Sequence, residues 1–166
     1  MQEKSESQIL WDVFEDVRSL TKFYLARAEG VDPHRTFHGE DKSLNTLYWL
    51  TGHLVWAQHF LLVEALSGNR MDIPWIEKFD NGLEDTREAG LPSIEELHET
   101  MDRVHEHAKG IVLNLDAKAL EEDNHMGIQF RAGKSKRTII HHAIRHEPCH
   151  TGQIGWLLKM AGVETV

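Results

Sequence analysis

The stretch His146-Glu147-Pro148-Cys149-His150-Thr151-Gly152-Gln153-Ile154 places two histidines four residues apart near the end of the chain. At 3.6 residues per turn, these histidines lie about 40° apart around a helix, so both imidazoles leave one face. A buried ring needs a polar partner, and two such rings together favour a shared metal ion. The face is apolar and follows helical spacing, with Ile139, His142, Ala143, His146, His150, Ile154, Leu157, Leu158 and Ala161 as its members.

Four segments of the chain carry apolar residues at helical spacing, and no segment alternates convincingly with a period of two. Polar N-cap candidates precede the second, third and fourth segments, and glycines follow the first, second and fourth. We therefore expect an all-α protein whose four helices cover about 8–28, 43–66, 93–115 and 135–162.

Roughly two dozen residues separate the second predicted helix from the third, and they include Pro74, Trp75 and Phe79. Short loops join antiparallel neighbours, whereas a connection of this length can cross the end of a bundle. The two aromatic residues indicate that this connection packs against the helices. The sequence thus predicts a four-helix bundle with a long crossover connection between helices 2 and 3, in a single domain covering 1–166.

Composition narrows the functional classes. The 166 residues carry a formal net charge of -9, which repels phosphate backbones and argues against nucleic-acid binding. The single cysteine, Cys149, excludes an intramolecular disulfide. The first residues lack the basic and apolar layout of a signal peptide, and the most apolar stretch, 47–66, contains four polar residues. We expect a cytoplasmic protein that does not enter the membrane.

His53 lies on the apolar face of the second predicted helix, with Trp49 and Trp56 at helical spacing. Taken alone, such a residue is more often a core histidine bonded to a carbonyl or a carboxylate. Together with His146 and His150 it becomes a candidate third ligand. Three neutral imidazole nitrogens leave at least one coordination position open, a pattern typical of a reactive metal site. The two tryptophans are core residues first, and they also suit a pocket for an organic ligand.

The pattern His-x-x-x-His-x-Gly-Gln-Ile in the last helix, with Gly52-His53-Leu54 in the second, resembles the DinB-like (damage-inducible, YfiT-type) superfamily. The resemblance covers the whole chain. It implies a four-helix bundle, often a homodimer, that holds a divalent metal ion, zinc or nickel, on His53, His146 and His150. It also implies a metal-dependent hydrolase, or a transferase or isomerase that uses a low-molecular-weight thiol.

Several neighbours bear on this metal site. Pro148 removes the helical hydrogen bond to the Ile144 carbonyl and should kink the last helix, which either re-aims His146 relative to His150 or frees a carbonyl to accept a hydrogen bond from water or substrate. A kink that spreads the two rings too far would weaken or remove the metal site. His142, one turn before His146, is a rival ligand. Gln153 is either a partner that bonds to a ligand or a polar residue at the edge of the core. Cys149 is either a thiolate ligand or a small core residue.

Other positions carry structural expectations. Glu147 should face solvent or a dimer partner, and Gly152 should let another backbone approach the last helix. His98 and His105, with Glu106, read as surface groups. Two classes of function stay open: a metal-dependent enzyme acting on a small electrophile, and a non-catalytic, dimeric ligand- or metal-binding stress protein whose histidines are polar core groups.

Overall fold

The computed structural model describes residues 3–40, 42–80 and 85–165, and most of them are helical. The described residues contain isolated β-bridges and no β-strand, in agreement with the sequence. No helix among them combines the length and apolar character needed to cross a bilayer. A π-helix, His59–Glu64, joins α2 to α3 without a break, and a 3-10 turn covers Ile76–Phe79. The helices are α1 (Glu6–Ala26), α2 (Leu47–Gln58), α3 (Ala65–Ser67), α4 (Ile94–Leu113), α5 (Ala117–Glu121) and α6 (Lys136–Met160).

The four long elements are α1, α2 with its π-helical extension, α4 and α6, and they form a closed ring. Helix α1 packs against α4 and α6, and α2 packs against the same two helices from the opposite side. The crossover between α2 and α4 brings its 3-10 turn onto α2, where Trp75 and Phe79 are buried. The predicted four-helix bundle with a packed crossover is confirmed.

Side-chain caps explain where the helices begin. Helix α6 starts after Ser135, as predicted, because the Ser135 hydroxyl accepts a hydrogen bond from the Thr138 amide. Helix α2 starts three residues later than predicted. Its N-cap is Thr46, whose hydroxyl accepts from the Trp49 amide at 3.1 Å, and Ser43 lies outside the helix. Two suitable hydroxyls in one short loop made this boundary ambiguous in the sequence.

The predicted capping box of the third long helix is only half formed. The Ser93 hydroxyl accepts from the Glu96 amide at 3.1 Å. The Glu96 carboxylate, however, accepts a hydrogen bond from the indole nitrogen of Trp75 at 2.9 Å. The carboxylate that was expected to close the cap therefore holds the crossover against α4.

A buried ion pair joins α1 to α6. Arg18 is fully buried, and its guanidinium donates to the Glu147 carboxylate at 2.8 Å. The Thr21 hydroxyl donates to the other oxygen of that carboxylate, also at 2.8 Å, and contacts the Thr151 hydroxyl. The expectation that Glu147 faces solvent is wrong, because α1 covers this side of α6. Removal of either charge would leave its partner buried without compensation.

The π-helix contains a fully buried histidine, His59. Its Nε2 accepts a hydrogen bond from the Met71 amide at 3.0 Å. Its Nδ1 lies 2.8 Å from a Glu64 carboxylate oxygen, at an angle that does not form a hydrogen bond. Burial lowers the pKa of His59 to about 4, so the ring stays neutral inside the folded protein.

This burial should make the metal-free protein acid-sensitive. Between pH 6.5 and 4 the unfolded chain protonates His59 and the folded chain does not, so the free energy of unfolding falls as the pH falls. One histidine shifted this far contributes about 3 kcal/mol to that fall. We expect His59→Gln to lose less stability than the wild type between pH 7 and 4, measured by urea unfolding with chelator present.

The matched control is His141→Gln, since His141 is exposed on α6 and does not contribute to the pKa shift of His59. It should keep the pH dependence of the wild type. Burial also raises the pKa of Glu64, which stabilises the folded protein as the pH falls and so opposes the effect of His59. This contribution is present in all three proteins. Equal losses of stability in His59→Gln and the wild type would contradict the assignment.

Candidate metal centre

His53 is held by the crossover. Its Nδ1 donates a hydrogen bond to the backbone carbonyl of Phe79 at 2.8 Å, and a carbonyl can only accept. The proton therefore sits on Nδ1, and Nε2 presents its lone pair. A Cβ built on Gly52 would lie 2.1 Å from the Phe79 ring. Glycine at this position is thus what allows the Phe79 segment to lie against α2 and to orient His53.

Two tryptophans fix the plane of the same ring. Trp49 stacks on His53 with ring centroids 4.5 Å apart and an angle of 17° between the planes. Trp56 stacks on it at 5.3 Å and 26°. The tryptophans at helical spacing therefore serve first to hold the histidine, and Trp49 is itself buried in the core.

His146 and His150 project together from α6. The helix is continuous through Pro148, and the two Nε2 atoms lie 3.2 Å apart. Pro148 therefore does not spread the two rings apart. On zinc, with bonds of about 2.0–2.1 Å, two tetrahedrally placed nitrogens lie about 3.3 Å apart. The spacing of this pair suits two ligands of one ion.

Gln153 orients His150. The Nδ1 of His150 donates to the Gln153 side-chain oxygen at 3.0 Å, which leaves Nε2 free to bind a metal ion. The sequence left Gln153 as either a partner that bonds to a ligand or a polar residue at the edge of the core, and the structure shows the first. Outer partners of this kind fix both the tautomer and the direction of a ligating imidazole.

The three rings converge. One ligand nitrogen from each of His53, His146 and His150 lies within 4.8 Å of the other two, so the group is placed to hold a metal ion. The centroid of the His53 ring is 5.4 Å from that of His146 and 4.7 Å from that of His150. The chemistry of the donors also fits, because neutral imidazole nitrogens are common protein ligands of divalent metal ions.

The electrostatic setting keeps the His53 and His146 rings neutral. Burial lowers the pKa of His53 below the usual 6.5, although the bond to Phe79 opposes the shift. Burial, followed by repulsion from His150, His53 and His142, lowers the pKa of His146 to about 3. Imidazoles that do not take up protons near pH 7 retain the lone pairs that a metal ion needs.

The rival ligands lie outside this group. The His142 ring stacks on Phe130 at 4.0 Å, and its Nδ1 accepts a hydrogen bond from Arg145 at 2.8 Å. Cys149 is exposed, and its thiol donates to the Arg145 carbonyl, so it is neither a core residue nor part of the histidine group.

Gly152 does not provide the predicted close approach. Nothing lies within 4 Å of a Cβ built there. A Cβ built on Gly155, three residues later in α6, would instead meet the Tyr24 ring at 3.4 Å. The glycine of α6 that lies against a neighbouring helix is therefore Gly155, which contacts α1.

Two hydrogen bonds that connect α2, α4 and α1 were not predicted from the sequence. The Gln58 amide donates to His105 Nδ1 at 3.1 Å, and His105 Nε2 donates to the Glu15 carboxylate at 3.0 Å. His105 is buried, so its reading as a surface group is wrong, and His98 is half-buried. A signal was present, because His105 falls four residues after Met101 on the apolar face of α4.

The comparisons with known proteins agree with this geometry. The model of the DinB superfamily matches residues 14–154, which include all three histidines. The chain belongs to the DinB superfamily. No curated protein matches it. Membership of the DinB superfamily and the histidine group together fit a metal-binding protein, and they leave its reaction open.

Gly52 offers a direct test of how the site is held. We expect Gly52→Ala to lower the free energy of unfolding by about 1–3 kcal/mol, the usual cost of overpacking a filled core. It should also weaken metal binding, because the Phe79 carbonyl must move with its ring. Urea unfolding and zinc titration measure the two effects.

The control is Gly152→Ala on the exposed side of α6. Nothing opposes a Cβ there, so this variant should be neutral or gain up to about 1 kcal/mol from helix propensity. Equal zinc affinity and equal stability in Gly52→Ala and Gly152→Ala would contradict this role for Gly52.

Proposed function

We propose that this protein is a metal-dependent enzyme that holds a divalent ion, zinc or nickel, on His53, His146 and His150. The ion would activate water, in a hydrolase, or a low-molecular-weight thiol, in a transferase or isomerase, toward a small electrophilic substrate. The observation that carries the proposal is the convergence of three imidazoles, two of which have Nδ1 hydrogen-bonded to an oxygen acceptor.

Individual residues would have distinct roles at this metal site. A bound divalent ion supplies Lewis acidity, which lowers the pKa of a coordinated water or thiol. The Phe79 carbonyl and Gln153 hold the tautomers of His53 and His150, so that their Nε2 atoms face the ion. Trp49 and Trp56 stack on the His53 ring and hold its plane. Three protein ligands leave room for a nucleophile or a substrate oxygen.

The nearest buried carboxylate has another role. Glu147 follows His146 directly, yet both of its oxygens are bonded to Arg18 and Thr21. It is therefore a poor general base, and the group of possible ligands contains no carboxylate among the described residues. This favours chemistry in which the coordinated nucleophile attacks without a carboxylate base.

Metal analysis of untagged protein tests the proposal. We expect close to one equivalent of zinc or nickel per chain in the wild type, and less than a tenth of an equivalent in His150→Ala. The control His141→Ala removes an exposed histidine of the same helix and should keep the metal. A screen of small electrophiles with and without small thiols, run on the same three proteins, then separates hydrolysis from thiol transfer.

Two results would contradict the proposal. One is a metal content that His150→Ala leaves unchanged. The other is a wild-type melting temperature that chelation does not move at constant pH, which would favour the non-catalytic binding protein with histidines as core polar groups.

We also propose that the protein acts as a homodimer. The support is an exposed apolar face on α1, in which Ile9, Val13, Leu20 and Phe23 recur at helical spacing. We expect the wild type to sediment as a dimer and Leu20→Glu to sediment as a monomer. Leu113→Glu, the same substitution at an exposed leucine of α4, is the control for the added charge. A monomeric wild type would rule the dimer out.

A further inference from the structure

A cavity lies one helical turn before His146 on α6. It has a volume of about 460 Å³, which is within the range of small-molecule sites. The His142 ring in its wall lies 5.6 Å from the His146 ring, centroid to centroid, so the cavity is next to the histidine group. Its wall consists of Phe130, Arg131, Ala132, Thr138, His141, His142 and Arg145. We call it the arginine cavity.

The arginine cavity is cationic in a protein whose formal net charge is -9. None of the seven residues in its wall is acidic. Within the described ranges, neither Arg131 nor Arg145 has a carboxylate within ion-pair distance, which is also true of Arg27, Arg35 and Arg103, whereas Arg18, Arg70, Arg87 and Arg137 each have one. Two arginines therefore line one cavity without an acidic residue in its wall to balance them.

The hydrogen bonds inside the cavity leave donors available. Arg145 donates to His142 Nδ1 through Nη2 at 2.8 Å, and because an arginine only donates, His142 carries its proton on Nε2. His142 thus adds a neutral N–H donor. The Arg145 guanidinium also lies 5.8 Å from the centroid of the Phe130 ring, which limits its freedom before any ligand arrives.

A contrasting cavity lies near the other end of the same histidine pair. It measures about 320 Å³, is bordered by Gln153, Leu50 and Trp156, and contains no charged side chain in its wall. Electrostatics therefore distinguish the two cavities, which lie near opposite ends of the His146 and His150 pair. An anionic group would be attracted to the arginine cavity, and an apolar group would be accepted by the other.

We propose that the arginine cavity binds the oxyanion group, carboxylate or phosphate, of a small organic substrate. This inference rests on the proposed function, because the remainder of such a molecule would extend along α6 toward His146 and the metal ion. Guanidinium groups match the paired oxygens of carboxylates and phosphates and bind them with charge-assisted hydrogen bonds. The substrate class is thus an anionic electrophile with its reactive centre one helical turn from its charge.

Binding of benzoate, phenyl phosphate and neutral benzamide tests the assignment. Ligand-observed NMR titrations would use both zinc-loaded and metal-free protein. We expect at least one of the two anions to bind more tightly than benzamide, and Arg145→Ala and Arg131→Ala each to weaken that binding about tenfold. Preference between the anions identifies carboxylate or phosphate as the recognised group.

Arg27→Ala is the matched control, because Arg27 is also an exposed arginine over a phenylalanine, 4.2 Å from the Phe23 ring centroid. It should bind the anions as the wild type does, and all the arginine variants should keep their zinc. Equal affinity for benzamide and the anions, or affinities unchanged in both cavity variants, would overturn the inference. Arginine-dependent anion binding by a wild type that takes up no zinc would instead support the cavity and contradict the proposed metal function.

Discussion

The hydrogen bond from His53 Nδ1 to the Phe79 carbonyl connects the crossover to the centre of the bundle. Its geometry requires Gly52, because any side chain there would meet the Phe79 ring. It also fixes the tautomer of the one histidine that α2 contributes. Without this bond, Trp49 and Trp56 would still fix the plane of the His53 ring, but the contact that places its proton on Nδ1 would be lost. The arrangement of the candidate metal centre therefore depends on a backbone carbonyl in the 3-10 turn of the crossover.

The second constraint is the buried pair of Arg18 and Glu147, which joins α1 to α6 beside His146. Burial of two charges costs several kcal/mol in desolvation, so such a pair is weak support for stability in itself. It does, however, fix the rotation of α6 about its axis, since any other rotation would leave Arg18 without its carboxylate. The same rotation turns His146 and His150 toward α2.

Periodicity in the sequence was sufficient for the helices, the crossover and the order of the three histidines, because each depends on spacing along one segment. The spacing of His105 after Met101 also indicated its burial. The role of Glu147 was not predictable in this way, and neither was the π-helix around His59. The role of Glu147 depends on which neighbouring helix covers that face of α6, and a single polar residue beside an apolar stripe does not reveal that. Gly52 was part of the recognised motif, but its purpose appears only when Phe79 lies against it.

The most direct measurement of the central claim is anomalous diffraction from crystals of untagged protein grown with zinc. We predict one strong peak per chain, about 2.0–2.1 Å from a nitrogen of each of His53, His146 and His150. A peak that is bound only by His142, Cys149 or surface carboxylates, or the absence of a peak between α2 and α6, would contradict the three-histidine metal centre.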